Sequence, residues 1–180
     1  MDTKLAPSIR NPAATAAAIV ALAGAATLLG AWFFQYVLGY PPCPLCLEQR
    51  IPYYVSIPLG AIVAIAAARG AAAGAAPRWL VTGGLAVLAL AMLIGAVLAV
   101  YHAGVEWKWW AGPQDCSGPL DPLGSGNLLR QLQSINIVRC DEAPWRFLGL
   151  SLAGYNALIS LALAAVAAWG IVAPRVAQKS

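Results

Sequence analysis

The sequence predicts an all-α membrane protein, a four-helix transmembrane bundle with one short and one long loop on the same side. Three observations predict it. Of its 180 residues, 61% are hydrophobic and only 10% are charged, whereas a soluble domain carries roughly 25% charged residues. The missing charge is concentrated in four runs, Ala13 to Tyr40, Ile51 to Ala68, Trp79 to Tyr101 and Phe147 to Ala173, none of which holds a charged residue. About 20 apolar residues cross a bilayer core, so each run is long enough, the second only just. The runs also lack the polar face at helical period that a soluble bundle needs.

Each element follows in order within a single membrane domain, residues 1–180. The first span is expected at about 13–38; its apolar stretch is about twice the length of a signal-peptide h-region, so it reads as a span and not a cleaved leader. Gly39-Tyr40-Pro41-Pro42 ends it and opens a short loop at about 39–48. The second span is expected at about 49–68, starting near Cys46 because Pro41, Pro42 and Pro44 keep a helix from forming earlier. Arg69 to Arg78, rich in Ala and Gly and containing Pro77, connects it to the third span at about 79–101. A loop of about 45 residues follows, 102–146, far longer than a simple connector and therefore a candidate for function. The fourth span is expected at about 147–172, with a short basic tail after Pro174.

Inside the long loop, Trp107, Trp109 and Trp110 read as an interfacial aromatic belt. Leu128, Leu129, Leu132 and Ile135 recur at helical spacing, with Asn127 as a candidate cap. So short a helix is unstable alone in water, which places its apolar face on the membrane or the bundle.

Four spans put both termini on one side, and the basic residues say which. Lys4, Arg10, Arg69, Arg78, Arg175 and Lys179 lie with the termini, opposed only by Asp2. The other side carries Arg50, Lys108, Arg130, Arg139 and Arg146, offset by six acids. The termini are therefore assigned to the cytoplasm and all four cysteines to the outer, oxidising side, where disulfides persist. This bias explains the net charge of +4, which is no sign of a nucleic-acid partner.

The cysteines carry the chemistry. Cys43-Pro44-Leu45-Cys46 is a Cys-x-x-Cys pair at a helix start, the form of a disulfide that opens and closes readily. A thiol of Cys46 in the first helical turn is expected to be favoured as thiolate by the helix N-terminus. Arg50, four residues on, would share its face and add a guanidinium, against the plain alternative of an interface anchor. Cys116 and Cys140 stand in the long loop as a second pair. A four-cysteine zinc site usually has two close pairs, and these are 24 positions apart, with His102 the single histidine; no metal is expected. Two inert structural disulfides remain the alternative. A thioredoxin-like domain is excluded, because no βαβ pattern surrounds the motif. Two redox pairs at a bilayer surface point to a lipid-soluble acceptor, a quinone.

With Cys43-Pro44-Leu45-Cys46-Leu47-Glu48-Gln49-Arg50, the Cys116/Cys140 loop and Trp145-Arg146-Phe147-Leu148-Gly149-Leu150 before the fourth span, the chain resembles the DsbB family of quinone-dependent thiol oxidoreductases of bacterial inner membranes. The resemblance covers essentially the whole chain. A vitamin-K-epoxide-reductase-like enzyme shares the chemistry but fits Cys43 to Arg50 less well. The resemblance implies that a periplasmic DsbA-like protein of thioredoxin fold attacks Cys116 and that Cys140 passes electrons to Cys43. It implies further that Cys46 faces ubiquinone or menaquinone beside Arg50, with His102 flanking that site.

Overall fold

The computed structural model describes residues 11–73, 77–113, 116 and 138–176. Among them, four helices are long and apolar enough to cross a membrane, Pro12–Val37, Pro44–Gly70, Arg78–Glu106 and Leu152–Ala173. Helix α1 (Pro12–Trp32) is capped by Asn11, whose side-chain oxygen accepts the Ala14 N–H at 3.2 Å, and opens on a proline that needs no partner for a missing donor. It runs on into a π-helical turn, Phe33–Val37. The second span is two helices, α2 (Pro44–Glu48) and α3 (Ile51–Ala73). Pro52 accounts for the break, because its ring has no N–H and clashes with the carbonyl four residues back, that of Glu48. Helix α4 (Arg78–Glu106) follows Pro77, and α5 (Leu152–Val176) closes the bundle.

α3 runs to Ala73 and α5 to Val176, past the expected ends at 68 and 172, and two further boundaries differ near the cysteines. The third helix continues past Tyr101 to Glu106, because its polar residues turn inward: His102 and Glu106 are both buried. The fourth begins at Leu152 and not at 147. Before it, β1 (Arg146–Phe147) and β2 (Leu150–Ser151) pair antiparallel, Arg146 opposite Ser151 and Phe147 opposite Leu150. Leu148 and Gly149 between them have φ of 48° and 83°. A two-residue loop with both central residues at positive φ is the hairpin turn that matches strand twist. Hydropathy runs unbroken through these residues, so it gave no sign of the turn.

The helices form a ring in which α1 packs on α3 and α5, and α4 packs on the same two. Val20, Tyr53, Leu85, Leu88, Met92 and Leu163 fill its centre. Small residues let the backbones approach, the usual way helices pack in lipid. A Cβ on Gly84 would lie 2.4 Å from Val63 Cγ2, and one on Gly170 would lie 2.6 Å from Ala16 Cβ. Leu22, Ile62, Leu90, Val97 and Leu158 point outward and are exposed. Only 28–33% of each span's apolar window is buried within the protein; the rest requires hydrocarbon, so this is a multi-pass membrane protein.

Asn11 Nδ2 donates to the Ala67 carbonyl at 2.9 Å, which holds the start of α1 beside the end of α3. The cysteines lie at the opposite end. There Trp107, Trp109 and Trp110 are exposed beyond α4, and Trp110 folds back over Gly104 to stack on Tyr101. The amphipathic segment expected at Asn127, Leu128, Leu129, Leu132 and Ile135 lies outside the described residues.

Candidate active site

Cys43 sits just before α2 with an extended backbone, and its sulfur accepts the Cys46 N–H at 3.3 Å. This is the N-cap geometry that flanking prolines favour, and it turns both sulfurs to the same side. They lie 2.7 Å apart as free thiols, Cys43 buried and Cys46 half-buried. The hydrogen bond from Cys46, with burial second, holds the Cys43 thiol well above the usual thiol range.

Cys116 and Cys140 are joined in a disulfide, Cα to Cα 5.2 Å. Cys43, Leu45, Val105, Cys116 and Cys140 make one buried cluster, with Cys46 and Val138 against it. The two pairs, far apart in sequence, are therefore neighbours in space. Asp141, next to Cys140, is tied by Arg139 at 2.8 Å and by an ion pair with Lys108 at the end of α4. Arg139 first, and Lys108 second, hold the Asp141 carboxyl well below the usual carboxylate range.

His102 reaches the inner pair, its Nε2 lying 3.6 Å from Cys43 Sγ. Its Nδ1 meets Gln49 Nε2 at 2.5 Å, and Gln49 Oε1 accepts from Asn156 Nδ2 at 2.6 Å. The chain of contacts goes on through Tyr53 OH, which donates to Asn156 Oδ1 at 2.6 Å and lies 2.9 Å from Ser160 Oγ. One turn after His102, Glu106 is buried, with Oε1 3.9 Å from His102 Nε2 and Oε2 accepting from Ser151. The sequence reading missed Gln49, Glu106, Ser151 and Asn156. A signal existed: Glu106 stands four residues after His102, and Asn156 interrupts an apolar span. Polar groups in such places are costly unless they have a use.

Arg50 lies in the turn between α2 and α3, which the break before Pro52 creates. Its Nη1 donates to Gln35 Oε1 at 2.7 Å, from the π-helical turn of α1. At 9% exposure it does not snorkel to water. Arg50, Cys46, Tyr53, His102 and Glu106 share a cavity of about 590 Å³.

A family model described as disulfide bond formation protein DsbB matches residues 13–170. The chain belongs to the DsbB family. It is 30% identical over 154 residues to a disulfide bond formation protein B of Polaromonas sp., covering 83% of this chain and 84% of that one. It is 31% identical over 163 residues to one of Verminephrobacter eiseniae, covering 86% and 85%. A disulfide bond formation protein B 2 of Pseudomonas entomophila is 32% identical over 171 residues, covering 88% and 90%. No solved structure matches the chain.

In this DsbB-family bundle the ligand atoms of Cys43, Cys46 and His102 lie within 4.8 Å of one another. They are three of the four soft ligands on which a structural zinc site closes. The same sulfurs serve as a redox couple only while free to bond each other, which their 2.7 Å approach favours. The membrane location and the disulfide-forming role follow from the family and the four spans.

Proposed function

We propose that the protein re-oxidises a periplasmic DsbA-like dithiol protein of thioredoxin fold and passes the electrons to a membrane quinone, ubiquinone or menaquinone. The observation that carries this reading is the single buried cluster joining both cysteine pairs, with the inner pair alone opening on the cavity. A partner thiolate attacks Cys116, and Cys140 leaves. Cys140 then attacks Cys43 of an oxidised inner pair, and Cys46 leaves as a thiolate in the cavity that also holds Arg50. Each exchange moves two electrons inward and one disulfide outward.

The cavity fits an aromatic dione. Leu28, Phe34 and Ile159 supply apolar walls, and Arg50 and Tyr53 supply polar groups. When bound, a quinone accepts two electrons and two protons. The Arg50 guanidinium, held by Gln35, is the donor that orients a carbonyl oxygen and balances charge on Cys46. Apolar walls exclude water and so keep the thiolate from leaking electrons to other acceptors. The charge bias of the loops supports an inner-membrane setting with cytoplasmic termini.

The second reading is a membrane assembly factor with two inert disulfides. Cys43 and Cys46 as free thiols beside a cavity speak against it. The test is purified protein in detergent, mixed with a reduced thioredoxin-fold dithiol protein and a soluble quinone analogue. Loss of quinone absorbance in step with partner oxidation is expected. Its absence overturns the proposal.

A further inference from the structure

Oxidising a dithiol breaks two S–H bonds and forms one S–S bond. The two electrons and the two protons must both reach the acceptor. The sulfurs, Arg50 and the cavity account for the electrons. They leave the protons without a carrier, because arginine stays protonated and the cavity walls are largely apolar.

Glu106 is the unexplained group. It is a carboxyl at 6% exposure, the last residue of a membrane-crossing helix, and it lines the same cavity as Cys46 and Arg50. A buried carboxyl held only for structure is normally matched to a bidentate cation or several N–H donors. Glu106 instead accepts one hydroxyl, Ser151, on Oε2, and its Oε1 faces His102 Nε2 at 3.9 Å. Arg146 bonds only the backbone carbonyl of this residue, at 3.5 Å. The same His102 nitrogen lies 3.6 Å from Cys43 Sγ. One imidazole nitrogen thus stands between the thiol and the carboxyl.

The other side of the ring allows either tautomer. As oriented, Gln49 Nε2 donates to Nδ1, Asn156 Nδ2 donates to Gln49 Oε1, and Tyr53 OH donates to Asn156 Oδ1. Turning both amides over reverses every donor and acceptor. Nδ1–H then donates to Gln49, Gln49 to Asn156, Asn156 to Tyr53, and Tyr53 to Ser160. No group in the chain loses its partner. The cost is the 3.3 Å bond from Gln49 Nε2 to the Leu45 carbonyl, which keeps the Gln49 backbone N–H. In that second orientation Nε2 presents a lone pair to Cys43.

We infer that Glu106 carries a proton from the Cys43/Cys46 pair to the acceptor in the cavity, by way of His102, which the Gln49–Asn156–Tyr53 chain in its second orientation holds as the Nδ1–H tautomer with Nε2 free to take the proton and pass it on. The proton leaves Cys43 Sγ for His102 Nε2, passes to Glu106 Oε1, and goes from the carboxylic acid to an oxygen of the acceptor. The other proton follows from the second thiol or from solvent at the cavity mouth. Among the described residues, the charged or titratable groups that share this space are Cys43, Cys46 and Arg50 from the second span, Tyr53 from α3, and His102 on α4. Tyr40 from the short loop, Tyr155 on α5, and Arg139, Glu142 and Arg146 from the outer segment, complete the set.

This inference rests on the quinone reading, and the experiment separates the two. Reduced protein and a quinone analogue are mixed rapidly, and quinone absorbance is followed from pH 5.5 to 8.5 for wild type, Glu106→Gln, Glu106→Asp, His102→Ala and the double variant Glu106→Gln/His102→Ala. Gln keeps the Ser151 hydrogen bond and the shape but cannot take a proton. General acid–base groups contribute roughly 10²–10⁴-fold, so Glu106→Gln is expected to slow the reaction at least tenfold with an unchanged quinone KM and a flattened pH profile. Glu106→Asp should recover part of the rate. The double variant should be no slower than the slower single variant, as for two groups on one path. A wild-type rate in Glu106→Gln overturns the inference. So does a loss that leaves the pH profile unchanged and comes with a lowered thermal midpoint. If wild type itself consumes no quinone, the functional reading has failed instead.

Discussion

At the scale of the residue, Arg50 shows how tertiary context changes a role assigned from sequence. Spacing suggested that it shares a helix face with Cys46. The structure sets Arg50 in a turn between two helices, and Gln35 takes hold of the guanidinium. The charge still borders the cavity, so the expected chemistry survives by another route. Lys keeps the charge and loses the planar fork. Arg50→Lys should therefore retain part of the quinone reductase activity, while Arg50→Met should raise the apparent KM for quinone most. A hydrogen bond to a charged group is worth roughly 1.5–3 kcal/mol, so the rise should be about tenfold or more. Steady-state quinone reduction with reduced partner in excess checks this; unaltered quinone dependence in Arg50→Met would remove Arg50 from the site.

Asp141 is the second residue with a consequence. Its folded-state pKa is depressed by Arg139 and Lys108. It therefore adds stability above its unfolded pKa of about 3.9, and that stability is lost as pH falls through the lower folded value. Pairs of this kind near the surface are worth at most about 1 kcal/mol. Asp141→Asn should thus loosen the Cys140 segment slightly at neutral pH, and the difference should shrink as pH falls below about 3.9 toward the lower folded value. Alkylation of Cys140 after mild reduction measures it: faster labelling of the variant at pH 7 is expected, and equal rates would show that the ion pairs do not hold the segment.

At the scale of the element, the helix contacts depend on single small residues. Gly83 and Gly84 are adjacent on α4. A Cβ on Gly83 meets nothing within 4 Å, whereas one on Gly84 lies 2.4 Å from Val63 Cγ2 on α3. Gly→Ala in a helix gains about 0.8–1 kcal/mol where space allows. Overpacking costs about 1–3 kcal/mol. Gly83→Ala should raise the thermal midpoint in detergent and Gly84→Ala should lower it. Equal shifts in the two variants would mean that α3 and α4 are not in close contact there. The hairpin before α5 works at the same scale. Its turn at Leu148 and Gly149 delivers Ser151 to Glu106, so a two-residue loop positions a group of the candidate site.

At the scale of the whole molecule, the ring of four helices gathers both cysteine pairs and the cavity at one end, and the basic loops mark the other. Reporter enzymes active only in the periplasm, fused at position 75, should be inactive, and fusions near position 125 should be active. The reverse pattern would move every cysteine to the reducing side and end the proposed pathway.

The sequence by itself determined the class and the chemistry. Four charge-free runs of spanning length could only be buried in lipid, and a proline-flanked Cys-x-x-Cys at a span boundary carried the redox reading and the family resemblance. Hydropathy is a sum along the chain, so it recorded how many helices there are. It was blind to the hairpin at Arg146–Ser151, because apolar residues in a turn sum like apolar residues in a helix. The tertiary structure alone decided which polar residues meet. Gln49 and Asn156 come from different spans, and each would be a costly exception on its own helix. Glu106 looked like one of six acids on the outer side until α4 extended to enclose it. The packing of the ring pairs these groups around His102, and no local pattern encodes a partner that lies on another helix.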